Sequence, residues 1–427
     1  MTAQRRTRRW RVAAIGLAAG LVLPLAACAG PAQQPQASGP THITFWNWYQ
    51  GSDGPTVEAL VKKFNESQSK VVVDMTIMPK DTMIQKLLPA YASGDGPTLI
   101  AVGHEMTTQY ITKKVVQPID DFYGEGKLDK AVLPKATIEA TTYDGKIYGA
   151  PMSSAPLMLY YNKTLFAKAG IANPPTTLTE LAEDAKKITV YKEGENTTNV
   201  YGIGQGMFSG IHSWTAYFRN DGGGYVSEDR KTSILDSPEN IKILNYWTDL
   251  FRNHHISPIG ISVPDAQALF AAGRAGMVID GPWGAGNYAK SGVDFGVAAF
   301  PKGSVTQTTM IVGTPILVAA GISDAQREAS LEFLKFWNSP ESQTTWAVKS
   351  GYPPTRSDIP MADLSANPVP EMFTKAVGAE SHMRGVVNFQ TILDDVVNPA
   401  IQKVMNGQGT AEEVLPEASK QLQALLG

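Results

Sequence analysis

Thr41-His42-Ile43-Thr44-Phe45-Trp46, running into the loop Asn47-Trp48-Tyr49-Gln50-Gly51-Ser52-Asp53-Gly54, decides how the chain folds. The first six residues read as a strand. Pro55 then opens a helix, because Val57, Leu60, Val61 and Phe64 fall at i, i+3, i+4 and i+7 and proline is tolerated in a first turn. A strand over 71–77, a helix over about 81–93 and a strand over 98–102 complete a βαβαβ unit. That alternation predicts a parallel sheet with helices on its faces, where ligands collect beyond the carboxyl ends of the strands. Those ends carry Asn47, Trp48, Tyr49, His104 and Glu105.

Working outward, residues 143–151 read as a hairpin edge and a crossover, after which Leu157-Met158-Leu159-Tyr160-Tyr161-Asn162 opens a second α/β series. Thr177 with Glu180 three residues later is a capping box, and a strand is expected near 199–204. Ser237-Pro238-Glu239 caps a helix with the stripe Ile241, Leu244, Trp247, Leu250 and Phe251. Strands near 275–280 and 293–298 follow. The apolar run 311–322, broken by Gly313 and Pro315, is too short for a membrane span and reads as a buried strand. Ser339-Pro340-Glu341 starts another helix, and the tail from about 371 is expected to be helical. A chain of 427 residues with 43% hydrophobic content outgrows one core. The expected architecture is α/β with two lobes joined by several crossovers, able to close over a ligand cleft between them. Lobe one is expected to take 41–152 with 301–350, and lobe two 153–300 with 351–427.

The N-terminus reads as a targeting segment. Arg5, Arg6, Arg8, Arg9 and Arg11 form a basic region ahead of the apolar stretch 12–27, which ends in Leu25-Ala26-Ala27-Cys28. That ending looks like a bacterial lipobox, so 1–27 is expected to be a signal peptide and Cys28 the lipidated residue. The doubled arginines leave the Sec and twin-arginine export routes both open. Residues 28–40 hold no aromatic, β-branched or charged side chain and read as a flexible tether. Removing the five arginines from a formal charge of -3 leaves -8 on the exported body.

That balance gives a polyanion nothing to bind, so a nucleic-acid partner is disfavoured. One cysteine in the whole chain excludes an internal disulfide, a C-x-x-C pair and a thiolate zinc cage. The six histidines show no ligand spacing beyond one adjacent pair, and no metal or cofactor is expected. There is no H-E-x-x-H, G-x-S-x-G or G-x-x-x-x-G-K-[ST] motif. Gly202-Ile203-Gly204-Gln205-Gly206 lacks the spacing of a dinucleotide fingerprint. A spatial pair of catalytic carboxylates is the enzymatic alternative that sequence leaves open.

Aromatic residues in loops carry the positive signal. Trp247, Trp337 and Trp346 lie in helical patterns and read as core, as does Trp46 beside Phe45 on the first strand. Trp48, Trp214 and Trp283 stand among Gly, Asn, Asp and Ser where elements end. An indole face can pack on the C–H face of a sugar ring while polar side chains take its hydroxyls.

The lipobox, Phe45-Trp46, Phe64-Asn65, the run Pro156 through Lys163, Phe270-Ala271-Ala272-Gly273-Arg274-Ala275-Gly276-Met277, Gly281-Pro282-Trp283 and Gly351-Tyr352-Pro353-Pro354-Thr355-Arg356 recur in a familiar order. Together they resemble the extracellular solute-binding proteins of carbohydrate ABC importers, the group of the maltose-binding and glycerol-3-phosphate-binding proteins. The resemblance implies a periplasmic-binding-protein-like fold with Trp283 stacking on the ligand and Asp280 beside it. Ser153 and Ser154 resemble the place where the glycerol-phosphate branch contributes a serine. Arg384, in the segment 382–389, resembles that branch's arginine, and Arg356 closes a shared segment. That branch's tyrosine after the second strand is unmatched, since Lys80-Asp81-Thr82-Met83 stands there, and its acidic residue falls on His104 or Glu105.

The expected function is therefore non-enzymatic. A lipid-anchored, monomeric protein on the outer face of a bacterial membrane would capture a carbohydrate or derivative and deliver it to ABC transporter permease subunits driven by a separate ATPase. A glycerophosphodiester or sugar phosphate is the alternative solute, and a surface glycoside-processing enzyme the alternative class. The ligand-binding candidates are Trp48, His104, Glu105, Ser153, Ser154, Trp214, Asp280, Trp283, Arg356 and Arg384.

Overall fold

In the first strand, β1 (Thr41–Asn47), burial alternates, with Ile43 and Phe45 turned into one core. The computed structural model describes residues 39–426 apart from 52, 125, 196, 208–212, 375–378 and 381–385. The segment 1–38, with Cys28, and Arg384 lie outside the described residues.

β1 pairs in parallel with β2 (Val71–Ile77) on one side and with β3 (Leu99–Ala101) on the other. The strand Thr309–Val318 runs antiparallel to β3, and Gly149–Pro156 runs antiparallel to it in turn. Both faces of this sheet are covered, as a parallel sheet requires. Ile43 and Phe45 meet Val57, Leu60 and Phe64 of helix α1 (Gly54–Ser67), and Phe333 stands 5.7 Å from Phe45 and 5.2 Å from Phe64. On the opposite face Ile100, Val102 and Leu317 meet Met83 and Leu87 of helix α2 (Lys80–Ser93).

The second sheet is centred on Ala275–Asp280. It pairs antiparallel with Met158–Asn162 and parallel with Thr197–Gly204, while Phe295–Ala298 and Val190–Lys192 form the two edges. Helix Leu178–Ile188 starts in the expected capping box, with Thr177 and Glu180 satisfying each other's backbone N–H groups. It lies so close to the sheet that a Cβ at Gly202 would sit 2.1 Å from the Ala185 carbonyl oxygen. The Gly202–Gly206 fragment thus serves close packing.

Among the described residues three passages join the two lobes. The chain crosses at Leu157, between Gly149–Pro156 of the first sheet and Met158–Asn162 of the second. It returns between Phe295–Ala298 and Thr309–Val318, and crosses again after helix Pro340–Ser350 to reach the C-terminal helices that pack on the second core. The tail corrects one expectation. Ala379–Glu380 is a strand paired with Thr309 and Met310, where the ten-residue strand outruns its neighbours and leaves an edge. Among the described residues the next helix begins at Phe389–Thr391. Among the described residues no helix is long and apolar enough to cross a membrane.

Candidate functional site

A cleft of about 830 Å³ opens where the carboxyl ends of the two sheets' strands face each other. On the first wall Asn47 ends β1, and its Oδ1 accepts the Tyr49 N–H at 3.1 Å, which turns the chain sharply. Tyr49 is carried inward against Trp346 and Tyr352, at 5.5 and 6.3 Å between ring centroids, and its hydroxyl lies 2.6 Å from the Ser153 hydroxyl. Trp48 stays half-buried on the cleft wall, with Lys80 Nζ 5.3 Å from its ring centroid and 3.9 Å from Glu105 Oε1. Asp53, at the start of α1, is buried in the same wall. Burial pushes its carboxyl pKa up, its own, Gly54 and Gly51 backbone N–H groups and the Tyr352 hydroxyl pull it back, and its Oδ1 has no hydrogen-bond partner.

Beyond β3 a single turn, His104–Met106, presents His104 and Glu105 to the cleft. His104 is buried, and its Nδ1 accepts the Gly313 N–H at 2.9 Å. Gly313 is glycine for that reason, since a Cβ would stand 2.9 Å from Nδ1.

The second wall rests on Asp280, the fully buried last residue of its strand. Its carboxylate receives the Tyr288 hydroxyl at 2.5 Å, the Gly281 N–H at 2.9 Å and the Gln267 amide at 3.0 and 3.1 Å. Burial still raises the Asp280 pKa to about 6, and burial, reinforced by the neighbouring carboxylate, keeps Tyr288 protonated as a donor. Tyr160 donates to the Gly281 carbonyl at 2.8 Å and so fixes the start of helix Pro282–Ser291. That helix turns Trp283, Asn287 and Lys290 into the cleft. Tyr352 bridges the walls, 6.0 Å from Trp283 and hydrogen-bonded to Asp53.

Of the sequence candidates, Trp48, His104, Glu105 and Trp283 line this cleft together. Ser153 and Ser154 lie behind it on a minor recess beside Thr314, with Ser153 holding Tyr49. Asp280 is a support, positioning the lining residues Gln267 and Tyr288. Trp214 lies elsewhere: it is 3% exposed, packed among Tyr217, Phe218, Trp247 and Phe251 in the second core. The apolar face of helix Ser213–Asn220 carries it inward. Arg356 also lies off the cleft, its fork engaged with Asp358 at 2.8 and 2.5 Å and with the Asn338 carbonyl at 2.9 Å. Arg384 lies outside the described residues. Sequence reasoning missed Asp53, Lys80, Gln267, Asn287 and Lys290 as lining residues. Asp53 and Lys80 begin helices directly after strands of the first sheet, and that placement was the available signal. Among the described residues no cluster of histidine, cysteine and carboxylate side chains could hold a metal ion.

The family model for bacterial extracellular solute-binding proteins matches residues 59–373. The sn-glycerol-3-phosphate-binding periplasmic protein UgpB of Rhizobium meliloti is 28% identical over 407 residues, covering 90% of this chain and 93% of the relative. Among solved structures, an ABC transporter solute-binding protein of Thermotoga lettingae bound with α-D-tagatose superposes with a TM-score of 0.79 at 24% identity, covering 91% of this chain and 100% of the other. UgpB from Mycobacterium tuberculosis in complex with glycerophosphocholine superposes at 0.78 with 18% identity, covering 91% and 98%.

Proposed function

Because this chain belongs to the bacterial extracellular solute-binding proteins, we propose that it captures a carbohydrate or carbohydrate derivative between its lobes and delivers it to the permease of an ABC importer, powered by a separate ATPase. One observation carries the choice of solute. Trp48 and Trp283 stand on opposite walls of one cleft, with Gln50, Gln267 and Asn287 interspersed. Indole faces suit the C–H faces of a sugar ring, and amides can both donate to and accept from its hydroxyls. Lys80 and Lys290 also line the cleft, and this observation supports a second reading in which the solute is a glycerophosphodiester or sugar phosphate. Arg384 would join them in that reading.

Lobe one is assigned 41–152 with 301–350 and lobe two 153–300 with 351–427, an approximate division whose first boundary moves to the crossing at Leu157, because the strand Gly149–Pro156 pairs within the first sheet. Export places the body outside the cytoplasm, and a lipid on Cys28 tethers it, as a monomer, to the outer face of the membrane. The protein binds and releases its solute without turnover.

A melting-temperature screen against neutral sugars, amino sugars and glycerophosphodiesters tests this. A solute at 100 times its Kd adds about 2.7 kcal/mol to the folded state, which moves the midpoint of a chain this long by a few degrees. Stabilisation by amino acids or peptides alone would overturn the proposal. Conversion of a bound glycoside to free sugar would overturn its non-enzymatic part.

A further inference from the structure

His104 is set apart from the other polar groups of the cleft by the fact that one of its two nitrogens is already committed. A neutral imidazole has one N–H and one bare nitrogen, and the bond made by one nitrogen dictates the state of the other. Nδ1 accepts the Gly313 backbone N–H at 2.9 Å, so Nδ1 is bare and the proton resides on Nε2. The Gly313 donor cannot turn away, because it belongs to Thr309–Val318, where Gly313 stands in register with Ser154 of the neighbouring strand. The ring cannot slide either: it is 6% exposed, and Gly313 gives it room that any Cβ would take.

Burial holds the imidazole below its usual pKa, with the Glu105 carboxylate and the Gly313 backbone contact acting against it and Lys80 in the same direction. The next helix, Thr107–Thr112, adds only the Tyr110 hydroxyl among titratable groups, and burial raises its pKa so that it stays uncharged. The facing strand Thr309–Val318 and the packed turn Phe389–Thr391 contribute none. The ring is thereby held neutral.

We infer that His104 reads the solute as a donor of fixed polarity, its Nε2–H selecting molecules that place an oxygen acceptor against the turn His104–Met106. Ether, hydroxyl, carboxylate and phosphoryl oxygens satisfy this, and an ammonium or other donor-only group at that point is refused. The inference rests on the cleft being the solute site. It adds a polarity that the neighbouring carboxylates of Asp53 and Glu105, which when ionised accept only, do not supply.

The tautomer is readable without any solute. Two-bond proton–nitrogen correlation spectra of histidine-labelled protein at pH 7 are expected to show His104 with a bare Nδ1 and a protonated Nε2, and the opposite tautomer or an imidazolium would overturn the inference. Gly313→Ala is expected to disturb that signal. For binding, α-D-tagatose, maltose and glycerophosphocholine serve as probes, with melting curves to verify folding of each variant. His104→Gln keeps an acceptor for Gly313 and a donor for the solute, whereas His104→Glu offers acceptors only. For whichever probe binds the wild type, the Glu variant is expected to bind about tenfold or more weakly than the Gln variant. Equal affinity of the two, or tighter binding by the Glu variant, would overturn the inference. Failure of every sugar and phosphodiester with the wild type would instead sink the proposed function, and the spectrum would still report the tautomer.

Discussion

At the carboxyl end of Ala275–Asp280 the Asp280 carboxylate gathers donors from Gly281, Gln267 and Tyr288. At the end of β1, Asn47 Nδ2 and Asp53 Oδ1 are both shielded from solvent and have no partner. Both walls bury polar groups next to the cleft, yet one spends its hydrogen bonds on itself and the other keeps some in reserve. A buried polar atom left unmet costs about 1–3 kcal/mol, and of these two residues Asp53 lines the cleft, where a solute donor can reach its carboxylate. The second wall is organised in advance and presents Trp283 at a fixed angle. The comparison assigns hydrogen-bonding specificity mainly to the first wall and stacking mainly to the second.

The largest effect is expected away from both walls and calibrates the rest. Trp214→Ala empties a site ringed by four aromatic residues and is expected to cost about 3–5 kcal/mol, measured by denaturant unfolding, with solute affinity within about twofold of wild type. A selective loss of affinity at preserved stability would return Trp214 to the binding site and undo its placement in the core.

Asp280 and Asp53 test the comparison directly. Asp280→Ala strands three donors and is expected to cost about 3 kcal/mol of stability. Asp53→Ala removes a cleft-lining carboxylate one of whose oxygens has no partner, so affinity is expected to fall about tenfold, with a stability loss smaller than that of Asp280→Ala. If the two variants exchange these signatures, the roles of the walls are reversed. Their pH dependence sharpens the point. Burial raises the folded pKa of Asp280 from 3.8 to about 6, so the native state binds more protons than the unfolded chain between those values. Stability from this group is full below about pH 4 and is lost as pH rises through 6, by about 3 kcal/mol in all. Asp280→Asn is expected to abolish that slope, and equal slopes for wild type and variant over pH 4–7 would place the titration elsewhere.

The sequence made the strand ends legible because a βαβαβ pattern locates them without knowledge of tertiary contacts. Trp48, His104 and Glu105 were found that way, and all three line the cleft. Trp214 was misread because an aromatic residue beginning a helix after Gly, His and Ser gives no local sign of which face is buried. The packing of Trp247 and Phe251 from a distant helix decides it. Asp280 was located correctly but given the wrong task. Its donors Gln267 and Tyr288 come from two different helices, a convergence that no spacing along the chain reveals.

Trp283 is the residue through which the organised wall is expected to act. Trp283→Ala is expected to weaken solute binding at least about tenfold, or about 1.4 kcal/mol, and to remove most of the ligand-induced change in tryptophan emission. Its stability loss is expected to be smaller than that of Trp214→Ala, because the indole lies half-buried against Tyr352 at 6.0 Å. Unchanged affinity would mean that this wall only supports the cleft and that stacking belongs to Trp48.

Arg356 carries the smallest expected effect. Its guanidinium is held on three sides: Nε and Nη2 engage the Asp358 carboxylate, and Nη1 engages the Asn338 carbonyl that ends helix Asp324–Trp337. That paired geometry holds the Asp358 carboxyl below its ordinary pKa, although Asp358 is partly open to solvent, which limits the gain. The arginine therefore fastens the segment after helix Pro340–Ser350, from which Tyr352 reaches the cleft. Arg356→Ala is expected to cost about 1 kcal/mol of stability, and Arg356→Lys to recover part of it, since an ammonium cannot span both carboxylate oxygens. Any change in affinity should follow from Tyr352 alone and vanish in a Tyr352→Phe background. Calorimetric titration of the single and double variants decides the matter, because a tenfold loss that persists without the Tyr352 hydroxyl would bring Arg356 back to the solute.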